Sequence, residues 1–99
     1  MSLTFDFTGR TVVVTGGARG IGRALSEFFA AAGATLAVAD VAAEALAEVS
    51  SELPGVIPLE IDVSDAASVA AGIDDVLERT GRIDILVNNA GIFKNGGIL

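Results

Sequence analysis

The 99-residue sequence contains no cysteine and no histidine. Without cysteine, the chain can form neither a disulfide framework nor a thiolate metal site. Without histidine, it lacks the commonest metal ligand and the commonest general base. We therefore expect no metal-dependent chemistry.

Basic residues are scarce: six lysines and arginines stand against thirteen aspartates and glutamates, for a formal net charge of −7. This charge disfavours nucleic acid and anionic membrane surfaces as partners. The longest apolar candidate, residues 28–39, is interrupted by Gly33 and Thr35, whereas a membrane span needs roughly 18–20 apolar residues. Asp6 stands where a signal peptide would carry a basic region and then an apolar stretch. We therefore expect a cytoplasmic protein without membrane contact.

Glycine, by contrast, is abundant, and a glycine cluster follows an apolar β-branched run at residues 11–14. The run predicts a buried strand, and the cluster predicts a tight turn that restarts as a helix near Gly20. The first N–H groups of that helix have no intrahelical partner and lie at the positive end of the helix dipole. They can bind a phosphate or pyrophosphate, which makes a dinucleotide the natural candidate ligand. A glycine-rich turn without any ligand is the alternative.

The remaining residues alternate between helix and strand patterns. In the first helix, the apolar residues that recur at helical spacing and should face the sheet are Ile21, Leu25, Phe28, Phe29 and Ala32. The later predicted elements are a strand at 35–39, a helix at 42–53, a strand at 56–61, a helix capped by Ser64 and a strand at 83–87. Pro58 and Glu60 suit an edge position for the third strand.

This order of elements predicts a single α/β domain over residues 1–99. Its fold class is the amino-terminal half of a Rossmann-like, doubly wound parallel sheet with strand order 3-2-1-4 and helices on both faces. In such sheets, ligands bind beyond the carboxyl ends of the strands at the switch point, here between the first and fourth strands. The glycine-rich turn lies at that point.

Polar residues follow the other predicted strands. Asp40 ends the second strand, where a carboxylate can accept hydrogen bonds from an adenosine ribose. Its alternative role is to cap the second helix. Asp62-Val63 follows the third strand, and Asn88-Asn89-Ala90-Gly91 follows the fourth. Taken alone, these two segments are an acidic residue after a strand and a turn.

Taken together, these features resemble the short-chain dehydrogenase/reductase family. Thr15 followed by glycines at 16, 20 and 22 is similar to the family's Thr-Gly-x-x-x-Gly-x-Gly signature and does not match the general G-x-G-x-x-G pattern. The acidic residue at 40, the Asp62-Val63 pair and the Asn-Asn-Ala-Gly segment follow in the family's order. The resemblance covers residues 9 to about 93 and implies an oxidoreductase that moves hydride between a nicotinamide cofactor and an alcohol or carbonyl substrate.

The resemblance also implies a cofactor and a set of contacts. Asp40 favours NAD, because the 2′-phosphate of NADP would meet a like charge at a cost of roughly 1–4 kcal/mol at 4 Å. Arg19 argues for NADP, since a basic residue there can hold that phosphate, but an arginine side chain can also turn to solvent, and we weigh Asp40 more heavily. The family's counterparts of Asp62 and Val63 contact adenine. The predicted cofactor-binding residues are Gly16, Arg19, Gly20, Ile21, Gly22, Asp40, Asp62, Val63, Asn89, Ala90 and Gly91.

The family's catalytic Tyr-x-x-x-Lys pair is missing, because the sequence has no tyrosine and Lys94 matches no catalytic position. We assign no catalytic residue, and we expect an alcohol or carbonyl substrate only where a further segment completes the site. Residues 92–99 suggest a tail leading into such a continuation, because they end on Ile98-Leu99 with no helix stop. The alternative is a non-catalytic module that binds the dinucleotide or merely folds.

The fourth predicted strand has no predicted neighbour on its outer side. A bare apolar edge recruits other strands. We therefore expect a homo-oligomer joined through this strand, or aggregation.

Overall fold

The β-branched runs and the amphipathic segments fold into a four-stranded parallel sheet flanked by helices, in a computed structural model that describes residues 5–89. The elements in chain order are β1 (Thr11–Thr15), α1 (Gly20–Ala31), β2 (Thr35–Asp40), α2 (Ala43–Glu52), β3 (Ile57–Glu60), α3 (Ala66–Thr80) and β4 (Ile85–Asn88). The strand order is β3-β2-β1-β4, and every pairing is parallel. The predicted fold class and strand order are confirmed. None of the helices within residues 5–89 is long and apolar enough to cross a membrane.

Two apolar layers cover the two faces of the sheet, because successive side chains of a strand point to opposite sides. Val12 and Val14 belong to one layer, with Phe29 of α1 and Val49 of α2. Val13 belongs to the other layer, which α3 covers through residues such as Val76. Residues 11–14 of β1 are all buried, as a strand covered on both faces requires.

The buried face of α1 differs from the predicted one. Phe29 is buried as predicted and Leu25 packs against the core, but Ile21 is 65% exposed and Phe28 43% exposed. The other buried residues of the helix are Gly22 and Ser26, which were not predicted. The physical reason is the closeness of the turn before the helix: a Cβ added at Gly22 would lie 2.0 Å from the carbonyl oxygen of Gly16. Small residues are therefore needed on the face where α1 meets the turn, and the larger Ile21 is displaced toward the carboxyl end of the sheet.

The start of α3 also corrects the prediction by one residue. Asp65, and not Ser64, is the N-cap, and its carboxylate accepts hydrogen bonds from the N–H groups of Ala67 at 3.0 Å and Ser68 at 3.4 Å. Ser64 instead donates its N–H and its hydroxyl to Oδ1 of Asp62, at 2.9 Å and 2.6 Å. Ser64 and Asp65 are adjacent residues that can each cap a helix, and the turn made by Asp62, which engages Ser64, leaves Asp65 as the cap.

The β4 strand starts two residues later than predicted, because Asp84 is used to attach it to β1. The Asp84 carboxylate accepts the N–H of Thr11 at 2.8 Å, and the Asp84 N–H donates to the Thr11 carbonyl at 2.9 Å. Nε of Arg82 lies 3.0 Å from the same carboxylate. The hydrogen bond from Arg82, followed by that from the Thr11 N–H, lowers the pKa of Asp84 below its ordinary value of 3.8. Among residues 5–89, β4 pairs only with β1, and β3 forms the opposite edge as predicted.

Candidate functional site

The turn between β1 and α1 needs glycine for two physical reasons. Gly16 and Gly20 have φ angles of +64° and +56°, in the left-handed region that favours glycine. Gly22 has no room for a side chain, because an added Cβ would lie 2.0 Å from the Gly16 carbonyl oxygen. The spacing of the three signature glycines is thus explained by backbone conformation at two positions and by close packing at the third.

The N-terminus of α1 points backbone donors into this turn without a side chain to cap them. Its N-cap is Arg19, which makes no side-chain cap hydrogen bond, and the first turn of the helix contains no acidic residue. The first hydrogen bond of the helix runs from the Arg23 N–H to the carbonyl of Arg19, the N-cap residue, at 3.1 Å. The N–H groups that precede Arg23 therefore lack an intrahelical acceptor and, with the helix dipole, favour an anion.

Asp40 is buried at the end of β2, with only 2% of its side chain exposed. Its Oδ2 accepts the Ala18 N–H at 3.3 Å, and its Oδ1 accepts the Ala42 N–H at 3.0 Å and Nη2 of Arg19 at 3.1 Å. Burying a carboxylate is costly unless donors such as these are bonded to it. The N-cap of α2 is Ala42, so the alternative role of Asp40 as that cap is wrong.

The Arg19 side chain reaches Asp40 from the N-cap position of α1. Its side chain is 64% exposed, yet its guanidinium is paired with Asp40. The two residues that predict opposite cofactors from the sequence are therefore partners in the structure.

Asn89 and Thr15 join the ends of β1 and β4 beneath the turn. Nδ2 of Asn89 donates to the Gly16 carbonyl at 3.3 Å, and the Asn89 N–H donates to Oγ1 of Thr15 at 3.0 Å. The Thr15 hydroxyl also lies 3.2 Å from the Val87 carbonyl. Thr15 is not among the predicted site residues, although it begins the glycine signature, and its hydroxyl is what connects the signature to β4.

A pocket of about 420 Å³ opens at the carboxyl ends of the strands. It brings together eight of the predicted residues, namely Gly16, Arg19, Gly20, Ile21, Asp40, Asp62, Val63 and Asn89. Gly22 lies behind Gly16 and does not line the pocket. The predicted residues Ala90 and Gly91 lie outside the described part of the chain. The lining residues that the sequence reasoning missed are Ala39, Val41 and Ile61.

The pocket combines apolar walls with polar groups. Ile21, Val41 and Val63 line it although they are 65%, 61% and 37% exposed. Exposed branched residues gathered in one concavity offer surfaces for a planar ring, while Asp40 and Asp62 add carboxylates and α1 adds N–H donors. Val41 could have been predicted from the sequence as a lining residue, because it directly follows Asp40 at the end of a strand. Residues 5–89 contain no group of three or more acidic side chains placed to hold a metal ion.

Comparison with known proteins identifies the family. Residues 10–99 match the short chain dehydrogenase family, and the chain belongs to it. It is 44% identical over 86 residues to the sorbitol dehydrogenase of Cereibacter sphaeroides, covering 86% of this chain and 34% of that protein. It is 41% identical over 95 residues to the meso-2,3-butanediol dehydrogenase of Serratia marcescens, covering 94% of this chain and 38% of that protein.

Solved structures agree with this assignment. The fold superposes on a hydroxysteroid dehydrogenase from Escherichia coli with a TM-score of 0.83 at 32% identity, covering 87% of this chain and 38% of that one. It superposes on a short-chain dehydrogenase/reductase of the glucose/ribitol dehydrogenase type from Brucella melitensis with a TM-score of 0.81 at 36% identity, covering 85% and 37%. The chain thus spans little more than a third of the length of these relatives.

Proposed function

We propose that the pocket binds NAD(H) in preference to NADP(H), as the cofactor-binding part of a dehydrogenase. The observation that carries this proposal is the Asp40 carboxylate, which lines the pocket at the end of β2 and is held there by three donors. A fixed carboxylate can accept hydrogen bonds from the ribose hydroxyls and repels a phosphate at the same position.

The other lining residues fit the remaining parts of a dinucleotide. The unpaired N–H groups at the start of α1 would hold the pyrophosphate. Val41 and Val63 would flank the adenine ring, and Asp62 would accept from its amino group. Asn89, Ala90 and Gly91 would border the path toward the nicotinamide ribose. The bound nicotinamide would supply the hydride chemistry, and the chain's own residues would bind and orient it.

Arg19 supports this preference and does not oppose it. Its guanidinium is engaged by Asp40 at 3.1 Å. To hold a 2′-phosphate, Arg19 would have to leave a buried carboxylate, and a buried charge that loses a partner is costly. A ribose hydroxyl, being neutral, can share Oδ2 of Asp40 without breaking the ion pair, because that oxygen receives one described hydrogen bond, from Ala18.

Isothermal titration calorimetry of the 99-residue chain with NADH and with NADPH tests the proposal. We expect NADH to bind at least several-fold more tightly, which is the lower end of the repulsion of roughly 1–4 kcal/mol at 4 Å. Asp40→Asn, which keeps the side-chain shape but removes the charge, should narrow the difference. Equal affinities in the wild-type chain, or a preference for NADPH, would contradict the proposal.

We propose that the corresponding whole protein oxidises or reduces an alcohol or carbonyl substrate, in keeping with relatives named for sorbitol and butanediol. The 99 residues contain neither tyrosine nor histidine, and a positioned general acid or base contributes about 10²–10⁴-fold to such reactions. The chain alone should therefore bind cofactor without turning over substrate. Sustained NADH consumption with simple ketones and aldehydes would contradict this.

We also propose that the chain pairs with a second copy through β4. This strand pairs only with β1 within residues 5–89, and its Leu86 is 55% exposed. The other edge carries Pro58 and Glu60, which oppose pairing. Sedimentation velocity at several concentrations should show dimers or larger species, and Leu86→Lys should shift them toward monomer. Leu86 is a better site than Ile85, because Ile85 packs against the core. A wild-type monomer at tens of micromolar would contradict this.

A further inference from the structure

Ser26 is a fully buried polar residue in the middle of α1, on the face that packs against the sheet. Its Oγ lies 2.9 Å from the carbonyl oxygen of Gly22 and 2.9 Å from that of Gly17. Burying a hydroxyl is unfavourable unless it is hydrogen-bonded, and alanine forms helices more readily than serine. Serine is therefore less favourable than alanine here unless its hydroxyl holds another group in place.

The group that depends on this hydroxyl is the carbonyl of Gly17. Gly22 is four residues before Ser26, so its carbonyl is the regular helical acceptor of the Ser26 N–H. The Gly17 carbonyl lies outside the helix, in the turn, and receives the Ser26 hydroxyl. The two residues are in close contact, because a Cβ added at Gly17 would lie 2.8 Å from Oγ of Ser26.

The peptide unit between Gly17 and Ala18 connects Ser26 with Asp40. This unit is planar and trans, so the Gly17 carbonyl and the Ala18 N–H point in opposite directions and turn together. The carbonyl accepts from Ser26 at 2.9 Å on one side, and the N–H donates to Oδ2 of Asp40 at 3.3 Å on the other. Hydrogen bonds arranged in such a chain strengthen one another.

We infer that Ser26 is a positioning residue for the Asp40 carboxylate, acting through the Gly17–Ala18 peptide. Oδ2 is the Asp40 oxygen that this peptide holds, while Arg19 and Ala42 hold Oδ1. Losing the Ser26 hydroxyl frees the peptide to rotate and lets the carboxylate shift within the pocket. The role of Ser26 in cofactor selection rests on the proposed NAD(H) preference, whereas its hold on the peptide does not.

Two measurements on the 99-residue chain test the inference, and the first needs no cofactor. Hydrogen exchange followed by NMR should show the Ala18 amide of Ser26→Ala exchanging about three- to tenfold faster, relative to other slow amides, as expected for one weakened buried hydrogen bond. An unchanged relative rate for Ala18 would overturn the inference.

The second measurement is the ratio of NADPH to NADH dissociation constants by calorimetry. Ser26→Ala should shrink this ratio by about three- to tenfold. In the Asp40→Asn background, the same substitution should leave the ratio unchanged, because the group that Ser26 positions no longer carries the charge. Equal shifts of the ratio in both backgrounds would overturn the inference.

A control separates positioning from general loss of stability. Val76→Ala removes buried volume on the opposite face of the sheet, in α3, and should lower stability without changing the ratio. A ratio that falls as far in Val76→Ala as in Ser26→Ala would overturn the inference.

If Ser26→Ala does not fold, Ser26→Cys, which nearly keeps the volume and donates weakly, takes its place. A wild-type chain that binds both cofactors equally refutes the NAD(H) preference alone, and the Ala18 amide then decides the role of Ser26.

Discussion

The α1 and α3 helices both begin at the carboxyl edge of the sheet, and they begin differently. The α3 helix is closed by its own sequence, since Asp65 accepts the N–H groups of Ala67 and Ser68. The α1 helix, by contrast, has Arg19 as its N-cap, which makes no side-chain cap hydrogen bond, and has no acidic residue in its first turn. One helix start is therefore self-sufficient, whereas the other leaves its donors facing the pocket.

The polar side chains around α1 form hydrogen bonds with the turn that precedes the helix, and not with the N–H groups at the helix start. The carboxylate beside α1 is Asp40, but it reaches Ala18 in the turn and does not reach the helix itself. Ser26 and Asn89 likewise hold the carbonyls of Gly17 and Gly16. Side chains thus satisfy the turn and leave the first N–H groups of α1 without a side-chain acceptor, which is the arrangement expected of a phosphate site.

The largest effect should come from filling the space at the start of α1. Gly22→Ala places a Cβ 2.0 Å from a backbone oxygen of Gly16, which cannot move without opening the turn. We expect the free energy of unfolding to fall by more than about 3 kcal/mol, beyond the usual range for overpacking, with loss of dinucleotide binding. Chemical denaturation and calorimetry measure the two effects.

The matched control is a buried glycine in α3. A Cβ added at Gly72 would also be too close to its neighbours, at 2.2 Å from Cδ1 and 2.8 Å from Cγ1 of Ile61, but both atoms belong to a side chain that can change rotamer. The gain in helix propensity from glycine to alanine, about 1 kcal/mol, offsets part of the cost. Gly72→Ala should thus be much milder, and equal losses in the two variants would refute the distinction between a backbone neighbour at Gly22 and a side-chain neighbour at Gly72.

The sequence was sufficient for the fold and for most of the pocket, because both depend on local patterns. β-branched runs, helical periodicity and breakers predict the element order, and the parallel crossovers then determine the strand order. Residues that follow strands were found by the same logic, as with Asp40 and Asp62. Their meeting in one pocket follows from the topology and needed no knowledge of distances.

What the sequence could not indicate depends on the path of the turn. Ser26 interrupts the apolar pattern of α1 only as a small polar residue, and nothing local shows that its partner is a carbonyl nine positions earlier. Asp65 and Ser64 are equally good caps by residue type, and the Asp62 turn selects between them. The pairing of Arg19 with Asp40 likewise joins residues whose separate patterns predict different cofactors.

An effect of intermediate size is expected at the N-cap of α3. Asp65→Ala removes the cap of α3, which should lower the free energy of unfolding by about 1 kcal/mol. Dinucleotide affinity should change little, because Asp65 does not line the pocket. Thermal denaturation with and without NADH separates the two quantities. A large loss of affinity in Asp65→Ala would show that the two helix starts are not independent.

The smallest effect concerns pH and lies at the opposite end of the sheet. Because hydrogen bonds from Arg82 and the Thr11 N–H lower the pKa of Asp84 in the folded chain, its ionised form favours folding. Its contribution is complete above the ordinary value of 3.8 and is lost as the pH falls through the lower folded-state value. Without histidine, no side chain has an ordinary pKa between about pH 5 and 8. The part of the stability that depends on Asp84 should therefore be lost in acid and not between pH 5 and 8.

Asp84→Asn tests this contribution by denaturation at a series of pH values. The variant should lose stability at neutral pH and show a shallower decline in acid, because one titrating group no longer links protonation to unfolding. Asp75→Asn is the control, since Asp75 pairs with Arg79 on the exposed surface of α3, where such pairs contribute little. The affinity for NADH should be the same in both variants, because Asp84 attaches β4 to β1 at the end remote from the pocket. If the free energy of unfolding of Asp84→Asn falls with pH in acid as steeply as that of the wild-type chain, the Thr11 contact does not depend on the charge of Asp84.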